Sequence, residues 1–294
     1  MTCNIGLFHS VPDMKADPAI VARAAEDLGF NSYWVPEHAI LPVEFRSTYA
    51  GNLTDEPADP PDYLWQMPDP WIALARASAV TSSIRLGTAI CLVPEHNPLI
   101  LANEIASLDH YSGGRVNLGI GAGWNREESE ILGVDFDHRW TQTRECVEVM
   151  KALWTNDAAG YDGRYYAFPP VRCYPKPAQK PYPPIYFGSI GSPRVLQRVA
   201  KWGDGWVPLT NDYDALAKGR ERLNELCTEA GRDPKSISIS QMATEGLSRT
   251  VPERIEAERA GADEVIVWIM ATELDAVLDE LKTLADELIV PQAT

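Results

Sequence analysis

A carboxylate and an imidazole stand side by side at Glu37-His38, directly after the β-forming run Ser32-Tyr-Trp-Val35. Both groups transfer protons near neutral pH, so such a pair at a strand end is a candidate acid–base site, with a solvated loop pair as the bland alternative. His9 ends a similar run, Asn4-Ile-Gly-Leu-Phe8, and is a third candidate for proton transfer. The stretch from Pro184 to Pro208 offers different chemistry. It reads as strand, glycine turn, helix, turn and strand, with Ser192 of N-cap type and Pro193 suited to the first helical position. The backbone of Gly188, Ser189, Ile190, Gly191 and Ser192 would then meet the positive end of a helix dipole, an arrangement suited to a phosphate. An ordinary strand-to-helix turn has the same local signature.

Other chemistries find less support. His9, His38, His96, His110 and His138 share no HxH or HExxH spacing, so no metal site is expected. His96 and His138 read as helix-starting residues and His110 as a residue within a helix, all three structural. No Gly-x-Ser-x-Gly elbow is present. Cys3, Cys91, Cys146, Cys173 and Cys227 are scattered without a CxxC pair, as expected of reduced thiols in a cytoplasmic protein. Cys91 has a strand-end position but no visible base beside it, and a buried thiol is the expectation.

The 294 residues carry 26 Lys plus Arg against 42 Asp plus Glu, a net charge of −16. Such a surface repels nucleic acid and anionic membrane. Neither a secretory leader nor an apolar run of membrane-spanning length is legible. With no internal repeat or low-complexity linker, residues 1–294 read as one domain.

The elements that must position these residues alternate. Strands are expected at 4–8, 32–35, 85–91, 116–120, around 185 and 206, at 236–240 and at 264–267. Helices lie between them, opened by Pro18, Asp69-Pro70, Asn97-Pro98 and Ser192-Pro193. Eight such units predict an α/β fold, a (β/α)8 barrel, whose active site forms at the carboxyl ends of the strands. A doubly wound open sheet is the competitor, but it places its glycine turn after the first strand, where His9 to Lys15 contains no glycine. Two long connections follow strand 2 (41–68) and precede strand 5 (155–183). Both are rich in aromatic residues, and both are expected to be ordered lids. Asp162-Gly163 in the second predicts a hairpin. Thr88, Ala89 and Ile90 on strand 3, and Ala122, Gly123 and Trp124 after strand 4, supply small and aromatic surfaces for a flat heterocycle.

With these residues assembled, the chain resembles the luciferase-like monooxygenase superfamily, and within it the branch of coenzyme F-420 (deazaflavin) dependent oxidoreductases. The resemblance rests on Ala24 to His38, Arg85-Leu-Gly-Thr-Ala89, Leu108 to Trp124 and Gly188 to Trp206, and it spans nearly the whole length. It implies a luciferase-like barrel with the cofactor ring over the strand ends and a non-prolyl cis peptide at Ala89-Ile90. It also implies cofactor phosphates on the Gly188–Ser192 turn, with Glu37, His38, Thr88, Ala89, Ile90, Ala122, Gly123 and Trp124 around the ring. The deazaflavin branch carries Asp-His where this chain has Glu37-His38, which moves the carboxylate outward by one methylene.

The implied activity is hydride transfer between coenzyme F-420 and a small organic substrate, with His38, then Glu37 and His9, as proton-transfer candidates. The alternatives are an FMN-dependent monooxygenase fed by a separate reductase, and a non-catalytic flavin- or deazaflavin-binding protein on the same scaffold. The resemblance also implies a homodimer.

Overall fold

The structure, a computed structural model, describes residues 3–49, 60–244 and 246–289. Its first three barrel helices begin alike. Asp17, Asp69 and Asn97 accept backbone N–H groups through their side-chain oxygens, and each is followed by proline at the first helical position. Those caps open α1 (Pro18–Asp27), α2 (Pro70–Val80) and α3 (Pro98–Ser112), where the fixed proline φ is already helical.

The strands are β1 (Asn4–Phe8), β2 (Ser32–Val35), β3 (Arg85–Thr88), β4 (Cys91–Leu92), β5 (Val116–Gly121), β6 (Ala159–Asp162), β7 (Ala167–Val171), β8 (Ile185–Gly188), β9 (Gly205–Val207), β10 (Ser238–Met242) and β11 (Glu264–Trp268). The later helices are α4 (Arg126–Ile131), α5 (Arg139–Thr155), α6 (Pro193–Trp202), α7 (Tyr213–Glu229), α8 (Val251–Arg259) and α9 (Leu274–Leu288). Parallel pairing runs β3-β2-β1-β11-β10-β9-β8-β5, and a further β3–β5 pairing closes the ring. This is the eight-stranded barrel expected from the sequence.

Three details differ from the sequence reading. The third strand does not run unbroken to Cys91. It stops at Thr88 and resumes as β4, with a cis Ala89-Ile90 peptide between, at the position the resemblance implied. The seventh strand lies at 238–242, because Asp233 caps a single 3-10 turn over Pro234–Ser236. Helix α4 was not legible as a separate element; Asn125 starts it by accepting from Glu128 N–H.

One core lies between the strands and the surrounding helices, and a smaller one fills the barrel with Phe8, Trp34, Ala89, Val207, Met242 and Ile266. The hairpin at 162–163 is present as antiparallel β6–β7. It packs on α5, where the Glu145 carboxylate accepts from the backbone N–H of Arg164 (3.2 Å) and Tyr165 (2.8 Å). Among the described residues, no helix is long and apolar enough to cross a membrane.

Candidate active site

All eight strands of the ring end around one cavity of about 450 Å³. Phe8, Pro36 to His38, Ala89 with Ile90, Gly121 to Trp124, Gly188 to Ile190, Val207, Met242 and Trp268 form its wall in strand order. Tyr49, Tyr63, Leu64 and Met67 cover it from the first insertion, and Arg139 with Trp140 close it from the start of α5. Residues 50–59 of that insertion lie outside the described ones. The second insertion contributes no described residue to the wall, so only the first is placed as a lid.

The floor is set by Ile90. A Cβ on Gly188 would lie 2.3 Å from Ile90 Cγ2, and one on Gly121 would lie 1.9 Å from Ile90 Cδ1. Two glycines on neighbouring strands therefore admit one branched side chain into the barrel mouth, leaving a flat apolar surface. Trp268 borders this surface and packs at a tilt of 36° against Phe8 with centroids 4.7 Å apart; its indole N–H is buried without a partner among the described residues.

His38 stands at the other side. Its Nδ1 lies 2.7 Å from Glu128 Oε2, and the Trp124 indole N–H donates to its Nε2 at 3.2 Å. An indole nitrogen only donates, so Nε2 accepts and the neutral ring carries its proton on Nδ1, toward Glu128. Phe45 and Tyr49 pack edge-on against Trp124 and hold the indole in place.

Glu37 is occupied differently. Its Oε2 accepts the Leu92 N–H at 2.5 Å and its Oε1 lies 2.8 Å from His96 Nε2. The carboxylate thus ties β2 to β4 beneath the cavity. Burial alone would depress the His96 pKa, but Glu37, with Glu104 and Glu95 behind it, moves it upward overall. Glu37, Cys91 and His96 bring possible ligand atoms within 4.8 Å of one another. Both Glu37 oxygens already accept hydrogen bonds, and burial and Glu37 push the Cys91 thiol well up, so its proton stays on. That chemistry favours a hydrogen-bonded cluster over a metal centre.

Behind Gly123, Glu95 accepts from Ser129 Oγ at 2.7 Å. Burial, then the nearby Glu128 and Glu37 charges, raise its pKa to about 8. It is therefore largely a neutral acid at pH 7.

The fold thus brings together Glu37, His38, Ala89, Ile90, Ala122, Gly123, Trp124, Gly188, Ser189 and Ile190 on one wall. Thr88 is buried behind it, its hydroxyl donating to the Gly119 carbonyl at 2.7 Å. Gly191 and Ser192 continue the glycine turn beyond the wall. His9 stands apart: it is 1% exposed, lies 2.6 Å from the Tyr33 hydroxyl through Nδ1, and does not border the cavity. Burial lowers its pKa to about 3, so it is neutral at working pH. His96, read from the sequence as structural, proves to hold Glu37. Glu95 and Glu128 were missed altogether. Glu95-His96 repeats the Glu37-His38 pattern after the next strand, which was the available signal. Nothing in sequence spacing joins Glu128 to His38, 90 residues away.

The turn has the expected form with one difference. Helix α6 begins at Pro193 with Ser192 at the N-cap, yet the Ser192 hydroxyl makes no capping bond. Ser189 Oγ instead accepts the Gly191 N–H at 3.1 Å, and the N–H groups of Ile190 and Ser192 have no partner among the described residues. Two amides, a hydroxyl and a helix dipole are free to receive an anion.

A closed parallel barrel with its cavity at the carboxyl ends of the strands is the architecture in which (β/α)8 enzymes form their active sites. The chain matches the luciferase-like monooxygenase family over residues 16–288 and belongs to it. It is 41% identical to an uncharacterized protein of Mycobacterium tuberculosis over 238 residues, 80% of this chain and 83% of that one. An F-420-dependent glucose-6-phosphate dehydrogenase of Amycolatopsis mediterranei is 27% identical over 288 residues, covering 92% of this chain and 77% of that protein. In fold the chain is similar to the coenzyme F-420 dependent tetrahydromethanopterin reductase of Methanopyrus kandleri, with a TM-score of 0.76 at 17% identity over 98% and 99% of the two chains.

Proposed function

We propose that this protein is an oxidoreductase that exchanges hydride between coenzyme F-420 and a small organic substrate held beside it in the cavity. One observation carries the reading: an apolar floor at Ile90 lies between a turn with free amides and an imidazole held in a defined tautomer. These residues fit a planar ring with an anionic tail. The glycine pair seats the Ile90 side chain, which leaves a flat floor for the ring, and Trp268 borders it. The kinship with an F-420-dependent dehydrogenase supports the choice of cofactor.

When bound, the deazaflavin supplies a hydride donor or acceptor at C5. The chain's own part is to orient, to shield and to move a proton. Gly188 to Ser192 hold the tail through backbone N–H groups. Tyr49, Tyr63 and Leu64 exclude water above the floor. His38 gives or takes the substrate's proton at Nε2, which requires the Trp124 indole to turn aside from that nitrogen. Glu128 keeps Nδ1 protonated while it does so, and Glu37, fixed by Leu92 and His96, places the His38 backbone. In keeping with the resemblance, the protein acts as a homodimer.

Fluorescence titration with coenzyme F-420 and with FMN tests the reading. Micromolar binding of F-420 with weaker FMN binding is expected. Tight FMN binding with none of the deazaflavin would establish the monooxygenase alternative instead.

A further inference from the structure

We propose that Arg194 and Arg198 on α6 form a second anion subsite, beyond the glycine turn, that takes carboxylates on the tail of the bound cofactor. This inference rests on the deazaflavin reading above and deepens it.

In a chain with 42 acidic side chains against 26 basic ones, most arginines find carboxylates. Arg23, Arg76, Arg126, Arg220, Arg222 and Arg249 all do so. Arg194 and Arg198 are different: among the described residues neither makes an ion pair or donates a hydrogen bond. They lie four residues apart on α6, so their guanidinium groups share a helix face, where like charges repel. Arg198 is stacked on the Trp140 ring, its Cζ 4.5 Å from the centroid, and Trp140 is part of the cavity wall.

Arg139, also on that wall, spends two donors on the carbonyls of Gly123 (3.1 Å) and Phe136 (2.9 Å). Its charge stays on the same side. Burial and the neighbouring Arg194 and Arg139 charges move the Arg198 pKa downward, and no carboxylate counters them. Among the described residues Arg194 and Arg198 thus stand without a counter-charge beside the Trp140 part of the wall, with Arg139, whose own charge is partly met by Asp137, on the same side. An arrangement of this kind is unfavourable until an anion enters it.

The chemistry separates the two cofactor classes. FMN ends in one phosphomonoester, which the amides of the turn can satisfy. The F-420 tail continues past its phosphodiester through lactyl and glutamyl units, each glutamyl adding a carboxylate. Arginine matches a carboxylate with two parallel donors, and stacking on Trp140 holds one of these forks in position.

The test is binding, read by deazaflavin fluorescence, with three ligands: F-420 carrying glutamyl units, the deazaflavin phospholactate without them, and FMN. The Arg194→Gln/Arg198→Gln double variant should lose about 10- to 100-fold in affinity for the tailed form and under about threefold for the tailless one. Arg198→Lys should recover part of the loss. Raising salt should weaken tailed binding to the wild type more steeply than tailless binding. Equal losses for both deazaflavins, or no loss for either, would overturn the subsite while leaving the cofactor reading intact. Wild-type binding of FMN alone would overturn both. Retained binding of the tailless ligand by the variant shows that it is folded.

Discussion

The Trp124 indole N–H is directed at His38 Nε2 from 3.2 Å, so the nitrogen proposed to exchange a proton with substrate is capped in the free protein. Glu128 holds the opposite nitrogen at 2.7 Å. The ring is therefore kept in one tautomer by a donor on one side and an acceptor on the other. Trp124→Phe should release that constraint. In imidazole 15N spectra, wild-type His38 should show a single Nδ1–H tautomer, and the variant a mixture. An unchanged spectrum would mean that Glu128 alone fixes the ring.

Replacing His38 with Ala should lower turnover about 10²- to 10⁴-fold, the usual scale for a lost acid–base group. Cofactor affinity should change much less, because the free amides of the turn lie across the cavity. Single-turnover rates and binding titrations on the same variant separate the two effects. Normal turnover would pass the role to another group.

Glu95 makes a stability prediction with a definite sign. Its folded pKa, about 8, lies above the ordinary 4.5, because burial and then Glu128 disfavour the charged form. Its protonated form therefore supports the fold below about pH 4.5, and that support is lost as pH rises through 8. Glu95→Gln removes the ionisation and keeps the shape. Its melting temperature should match the wild type at pH 5 and exceed it by about 2–6 °C at pH 9. A pH-independent difference would show that Glu95 does not ionise in this range.

At the floor, Gly188→Ala places a methyl 2.3 Å from Ile90 Cγ2. Overpacking of this kind costs about 1–3 kcal/mol and should push Ile90 into the ring's space. Chemical denaturation should show the loss, and F-420 affinity should fall with it. Adding Ile90→Ala to Gly188→Ala should restore stability in large part; no restoration would mean that the strain lies elsewhere.

Barrel order, helix starts and the glycine turn before α6 were legible because they are local. Asp-Pro and Asn-Pro caps, β-branched runs and Gly-x-x-Gly-Ser each declare themselves within a few residues. The proton network was only half legible. Glu37 and His38 are neighbours in sequence, but their partners His96 and Glu128 arrive through barrel closure, 59 and 90 residues away. Position at a strand end also misled for His9, since the register of β1 turns its ring toward Tyr33 and away from the cavity. The aromatic content of 155–183 suggested a lid, yet Tyr161, Tyr166 and Tyr182 pack against α5, where Tyr161 donates to Glu148 at 2.5 Å, and Tyr174 donates to Asp157 within the segment.

A crystal structure with coenzyme F-420 tests the central claim most directly. The account predicts the deazaflavin ring over Ala89-Ile90, its phosphate against the N–H groups of Ile190 and Ser192, and His38 within reach of a substrate beside the ring. A phosphate bound away from the Gly188–Ser192 turn, or a ring outside the cavity floored by Ile90, would contradict it.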